Sequence, residues 1–137
     1  MILIKRLIIL LFPLFVGVLI YFIYREPTFR FRRWINADEQ LKFIDNLYKP
    51  NLPDWVIYNL PDGLWMISLT YSILWLLNFK IINKFDLMLV LVPFFIALLT
   101  ECAQYYNVLH GTFDILDILF YSIGLTLPII ITLKKEK

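Results

Sequence analysis

Four long apolar stretches separated by short polar breaks organise this chain. The first follows Lys5 and Arg6 and runs without charge from Leu7 to Tyr24. A secretory signal peptide shares that basic start, but its apolar core is about 7–15 residues long and ends at small residues. This run is longer, ends in Tyr-Phe-Ile-Tyr-Arg and has no Ala-x-Ala step, so it is read as a retained span in which Pro13 and Gly17 allow a kink. The second stretch runs from Asp62 to about Phe79, the third from Leu87 to Tyr105, and the fourth from Asp114 or Ile115 to Leu133. Each matches the length needed to cross a hydrocarbon core of about 30 Å. Lys80, Asn83 and Lys84 mark a tight turn before Asp86, and Asn107–Thr112 forms a loop with a turn glycine, Gly111, and the chain's one histidine, His110.

The one extended polar region is 25–61. Its first part, Arg-Glu-Pro-Thr-Phe-Arg-Phe-Arg-Arg-Trp, interleaves arginine with aromatic residues. In a soluble protein that pattern suits single-stranded nucleic acid. Beside a membrane it suits arginines at phosphate depth and rings in the interface belt. From Trp34 to Tyr48 the apolar positions Trp34, Ala37, Leu41, Ile44 and Tyr48 recur at helical spacing, with Asp38, Glu39, Lys42, Asp45 and Asn46 opposite. This predicts an amphipathic helix lying on the bilayer or over the mouth of the bundle. Pro50 and Pro53 end it, and Asn51–Asp62 reads as two turn starts around a short extended or interfacial piece.

The predicted architecture is an all-α membrane protein. It is a four-transmembrane-helix bundle in a single domain 1–137, with spans at about 7–24, 62–79, 87–105 and 115–133 and one amphipathic helix in the loop between spans 1 and 2. Composition strengthens this reading: 61% of the 137 residues are hydrophobic, more than a water-facing surface of this size accommodates. The net charge of +2 gives no case for nucleic acid, and a lone cysteine, Cys102, excludes an internal disulfide framework. An even number of spans puts both termini on one side with Lys5, Arg6, Lys80, Lys84, Lys134, Lys135 and Lys137. The other side holds Arg25, Arg30, Arg32, Arg33, Lys42 and Lys49. The terminal clusters and the near-absence of acid on the first side favour cytoplasmic termini.

That topology places Asp62, Glu101, Gln104, Asp114 and Asp117 at one membrane face, beneath the arginine-rich loop. Glu101 and Gln104 share a helix side, with Ala97 a turn below leaving room for a neighbour. Asp114, Asp117, Tyr121, Gly124 and Pro128 form one stripe of the fourth span, and Asp62, Trp65, Leu69 and Ser72 one stripe of the second. Three polar stripes at one depth would meet if the helices pack on those faces. An acid near a bilayer costs about 2.5–3.5 kcal/mol at the centre of a span, so acids within spans are usually functional. Asp62 and Asp114 also suit ordinary helix capping. Asp117 lies a turn inside its helix and Glu101 opposes the dipole at a helix end, so capping explains neither. Cys102, about 100° round the helix from Glu101, is read as a packing residue.

With His110, the four acids would make an oxygen-rich metal site, yet no His or Cys spacing suits zinc and no metal or cofactor is expected. Several buried acids also suit acid–base chemistry, although no serine–histidine or cysteine–histidine pattern accompanies them.

The run Glu101-x-x-Gln104, Phe113-Asp114-Ile115-Leu116-Asp117 and Gly124 resembles the signature of the VanZ-like membrane proteins. That family pairs Glu-x-x-Gln at the end of one span with Asp-x-x-x-Asn-x-x-Gly in the next. This chain has Gly111 where the family commonly has arginine, and Tyr121 where it has asparagine. A sister group of small membrane proteins is similar at both the tyrosine and the opening Pro61-Asp62-Gly63-Leu64-Trp65. The resemblance covers Asp62 to Leu127. It implies a cell-envelope protein with an association to glycopeptide resistance of the teicoplanin type, in a family whose biochemical activity is not settled.

Three functions follow. In the first, the acidic site faces the outer leaflet and binds a polar lipid headgroup or cell-wall precursor. Arg30, Arg32 and Arg33 then hold phosphate while the acids handle a proton or an amine. In the second, the chain is an accessory subunit whose amphipathic segment docks a membrane protein partner. In the third, Asp62, Glu101 and Asp117 serve a membrane-embedded hydrolase or transferase. A transporter is disfavoured by the absence of an internal repeat and of charge at any span centre.

Overall fold

In a computed structural model of the chain, residues 2–24 and 49–133 are described, and they form helices joined by turns, with no strand among them. The helices are α1 (Ile2–Tyr24), α2 (Asp54–Tyr58), α3 (Leu60–Leu76), α4 (Lys84–Tyr105) and α5 (Ile115–Leu133). Three of them, α1, α4 and α5, are long and apolar enough to cross a membrane. The amphipathic helix expected over Trp34–Tyr48 lies outside the described residues, as do Arg25, Arg30, Arg32 and Arg33.

The third helix is the central one. It carries more buried positions than any other helix, among them Pro61, Gly63, Met66, Thr70 and Leu74, and α1, α4 and α5 all pack on it. A helix surrounded by protein does not need the uniformly apolar exterior that lipid demands, which explains why Ser68, Thr70 and Ser72 sit in its middle. The outer helices show the opposite pattern: Phe12 and Phe15 of α1, Phe95 and Leu99 of α4, and Leu119 and Ile130 of α5 are exposed. Apolar surface on that scale suits lipid.

Successive long helices alternate in direction. Gly17 of α1 meets Trp65 and Pro61 near the start of α3, while the Arg6 guanidinium lies 4.9 Å above the ring of Phe79 just past its end. Val90, early in α4, packs with Leu74, late in α3. Gly63 and Met66 meet Gly124 of α5, so α3 and α5 run the same way. Their approach is backbone to backbone: a Cβ on Gly124 would stand 2.6 Å from the Gly63 carbonyl oxygen and 2.7 Å from Met66 Cβ. Small residues at both positions are what permits it. Met66, Leu74, Val90 and Leu125 form the core below that contact, with Ala97 against it.

Helix ends correct several expectations. The stretch Asn51–Asp62, expected as a short extended or interfacial piece between turns, is not extended but contains the short helix α2, whose last turn closes with Asn59 N–H donating to the Trp55 carbonyl. Pro61 has no N–H to continue the ladder, so α2 and α3 are separated at Asn59. Asp62 is not a cap; it lies inside the first turn of α3. The second stretch stops at Leu76 and not at Phe79, because Asn78 and Phe79 take left-handed φ of 53° and 61°. The paired bonds Phe79 N–H to Leu74 and Asn78 N–H to Trp75 there make a Schellman ending. The same ending recurs after α4, with Asn107 left-handed, Val108 N–H on Ala103 and Asn107 N–H on Gln104. Asn83 and Asp86 form a reciprocal capping box at the start of α4. Leu69, on the stripe with Asp62 and Trp65, is exposed, and Cys102 is exposed and not packed.

Candidate functional site

All six candidate residues, Asp62, Glu101, Gln104, Asp114, Asp117 and Tyr121, line one cavity of about 1070 Å³. It sits at the end of the bundle where α3 and α5 begin and α4 finishes. Asp62 comes from the first turn of α3, Glu101 and Gln104 from adjacent turns of one side of α4, and Asp117 and Tyr121 from α5. Asp114 stands just before α5, and the 106–113 turn contributes His110 and Gly111 to the rim.

Hydrogen bonds tie these walls together. Asp114 does cap α5: its Oδ1 accepts the Leu116 N–H at 2.9 Å. Its other oxygen accepts from the Asn59 side-chain amide at 2.8 Å, and the same nitrogen donates to Asp117 Oδ1 at 2.7 Å. One amide therefore uses both its protons on two carboxylates of the neighbouring helix, which is what lets two acids sit a turn apart at a helix contact. Asn59 is 2% exposed. The sequence reading missed it, taking Asn-Leu-Pro-Asp as a turn start. The signal was there, because an amide three residues before Asp62 at a proline-broken helix start belongs on the same side as that acid.

Glu101 is 3% exposed, the most buried carboxylate among the described residues. Its Oε2 accepts the Asp114 backbone N–H at 3.3 Å, which fastens the end of α4 to the start of α5. Gln104 packs its amide against Gly111, where φ is +150° and a Cβ would come within 2.7 Å of Gln104 Cδ. A glycine at 111 thus has a local reason: the turn needs its backbone freedom and Gln104 needs its space.

Aromatic side chains make the remaining wall. Tyr21 of α1 lies 6.2 Å from Trp65 of α3, and Trp55 of α2 stacks on Phe120 of α5 at 5.9 Å. Tyr21, Trp55, Tyr58 and Trp65 all face the cavity, and none was singled out from sequence as a site residue. The described lining carries the carboxylates of Asp54, Asp62, Glu101, Asp114 and Asp117 and no lysine or arginine. Among the described residues no three His, Cys, Asp or Glu side chains converge as a metal-binding group. The acids are distributed round a wide chamber instead of gathered on a point. Arg30, Arg32 and Arg33, expected at phosphate depth above the site, lie outside the described residues.

Chemically, the chamber offers negative charge, amide and hydroxyl groups and aromatic faces. Those described groups suit polar, hydrogen-bond-donating or cationic partners. Set against known proteins, the chain matches no protein-family model, no curated protein and no solved structure.

Proposed function

We propose that the chain is a four-span protein of VanZ-like type in the bacterial cytoplasmic membrane, with cytoplasmic termini and a ligand-binding chamber at the outer face. Its ligand is a polar lipid headgroup or a cell-wall-related molecule. The observation that carries this reading is the convergence of Asp62, Glu101, Gln104, Asp114, Asp117 and Tyr121 on one cavity.

Two features support the fourth crossing. Although α3 alone has 17 residues, α2 precedes it with only Asn59 between. At about 1.5 Å per helical residue, Asp54 to Leu76 reaches the thickness of a bilayer core. Contacts at the two ends of α1 also fit: Arg6 meets Phe79 at one end, and Tyr24 Oη donates to the Pro50 carbonyl at 3.0 Å at the other. Residues of the VanZ-like signature fall at the chamber wall (Glu101, Gln104, Asp114 and Asp117) and at the α3–α5 contact (Gly124). This distribution supports a signature that combines binding with close helix packing.

The test is to replace Glu101 by Gln and Asp117 by Asn, alone and together, and to measure envelope stress and glycopeptide tolerance at matched expression. Reduced tolerance in the variants is expected. Tolerance equal to that of the unaltered chain removes the chamber from this role.

A further inference from the structure

Glu101 gives one carboxylate oxygen to the Asp114 N–H, and its other oxygen has no hydrogen-bond donor among the described residues, although the side chain is 3% exposed. That oxygen is not one of the fully buried unpartnered atoms, which among the described residues are Ser68 Oγ and Thr70 Oγ1, so it opens onto the chamber and can accept a donor there. Gln104, one turn on and on the same side of α4, also faces the chamber without a hydrogen-bond partner among the described residues. Asp62 lines the same chamber, and no described lysine or arginine does. Around these groups stand the rings of Tyr21, Trp65 and Tyr121.

We propose that the chamber selects a primary ammonium group. This deepens the headgroup-binding reading above and rests on it. The –NH3⁺ donates to the open oxygen of Glu101 and to the Gln104 carbonyl oxygen, and the carbons beside it lie against the Tyr21 and Trp65 rings. A quaternary ammonium would satisfy the rings but has no N–H to give Glu101 and Gln104. A phosphate would bring a second negative charge to the Glu101 carboxylate, and a glycerol headgroup has no positive charge to set against it. The chemistry is shared by an ethanolamine lipid headgroup and by a free amine.

The test uses the full chain in phosphatidylglycerol nanodiscs doped with either phosphatidylethanolamine or phosphatidylcholine, with bound lipid counted by native mass spectrometry and free ethanolamine added as competitor. Retention of phosphatidylethanolamine about tenfold over phosphatidylcholine is expected, corresponding to about 1.4 kcal/mol. Glu101→Gln and Gln104→Leu should each abolish that preference, while Cys102→Ser, on the exposed side of α4, should retain it. A melting profile like that of the parent shows that the variants are folded, and Gln104→Leu keeps the test open if Glu101→Gln is not. Retention of neither lipid, with saturable binding of free ethanolamine that Glu101→Gln removes, would support the amine class with a soluble source. Equal retention of the two lipids would overturn primary-amine selection and leave headgroup binding standing. An unchanged preference in folded Glu101→Gln would also overturn the proposal. Binding of neither lipid nor ethanolamine would overturn both readings.

Discussion

The side-chain amide of Asn59 donates to Asp117 Oδ1 at 2.7 Å, joining the break between α2 and α3 to the first turn of α5. Its second bond, to Asp114, makes this amide the clasp for one side of the chamber. Replacing Asn59 with Leu leaves two carboxylates at a helix contact without their shared donor. Destabilisation of about 1–3 kcal/mol is expected, read as a lower melting temperature in detergent. Asn59→Asp should be worse, since it adds a third carboxylate where a donor is needed.

Asp114 should separate capping from bridging. Asp114→Ala removes both the bond to Leu116 N–H and the bond from Asn59, with an expected loss of about 1 kcal/mol from the cap alone. Asp114→Ser restores a capping oxygen and should recover most of the cap contribution but not the bridge. Thermal melts of the two variants, with and without Asn59→Leu, measure the coupling directly.

At Gly124 the neighbour is backbone, so the structure has little room to adapt. A Cβ there would lie 2.6 Å from the Gly63 carbonyl oxygen. Gly124→Ala is expected to cost about 1–3 kcal/mol by forcing α3 and α5 apart, and Gly124→Leu more than that. Unchanged melting of Gly124→Leu would show that the two helices do not meet at this point.

Gly111→Arg should weaken the site. The φ of +150° disfavours any side chain, and the new Cβ would collide with Gln104. About 1–3 kcal/mol of strain is expected. In a Gly111→Ala background, Gln104→Ala should relieve the collision but not the backbone strain, so melts of the single and double variants separate the two causes.

Much of this could be read from the chain because membrane physics is permissive about few things. An acid at a span end needs a reason, and this alone brought Glu101 and Asp117 forward. Their spacing from Gln104 and Tyr121 then put each set on one helix side. Expectations failed where local backbone chemistry decided. Pro53 and Pro61 suggested extended chain, yet between them Asp54–Tyr58 forms a helical turn whose break leaves Asn59 buried. Asn78 and Phe79 take left-handed conformations, ending α3 earlier than its apolar pattern suggested. Tyr21 and Trp55 were opaque for another reason: aromatic residues near a membrane interface are ordinary, and only tertiary packing brings these two to the acids.

Everything proposed for the chamber depends on α3 and α5 starting side by side, so cross-linking Asn59 to Asp117 tests it most directly. In a Cys102→Ser background, Asn59→Cys with Asp117→Cys is treated with a short bifunctional thiol reagent in native membranes, and linked peptides are identified by mass spectrometry. The expected result is an efficient intramolecular link for this pair and none for Asn59→Cys with Thr126→Cys, an exposed position further along α5. Equal linking of both pairs, or linking of neither, would contradict the shared chamber.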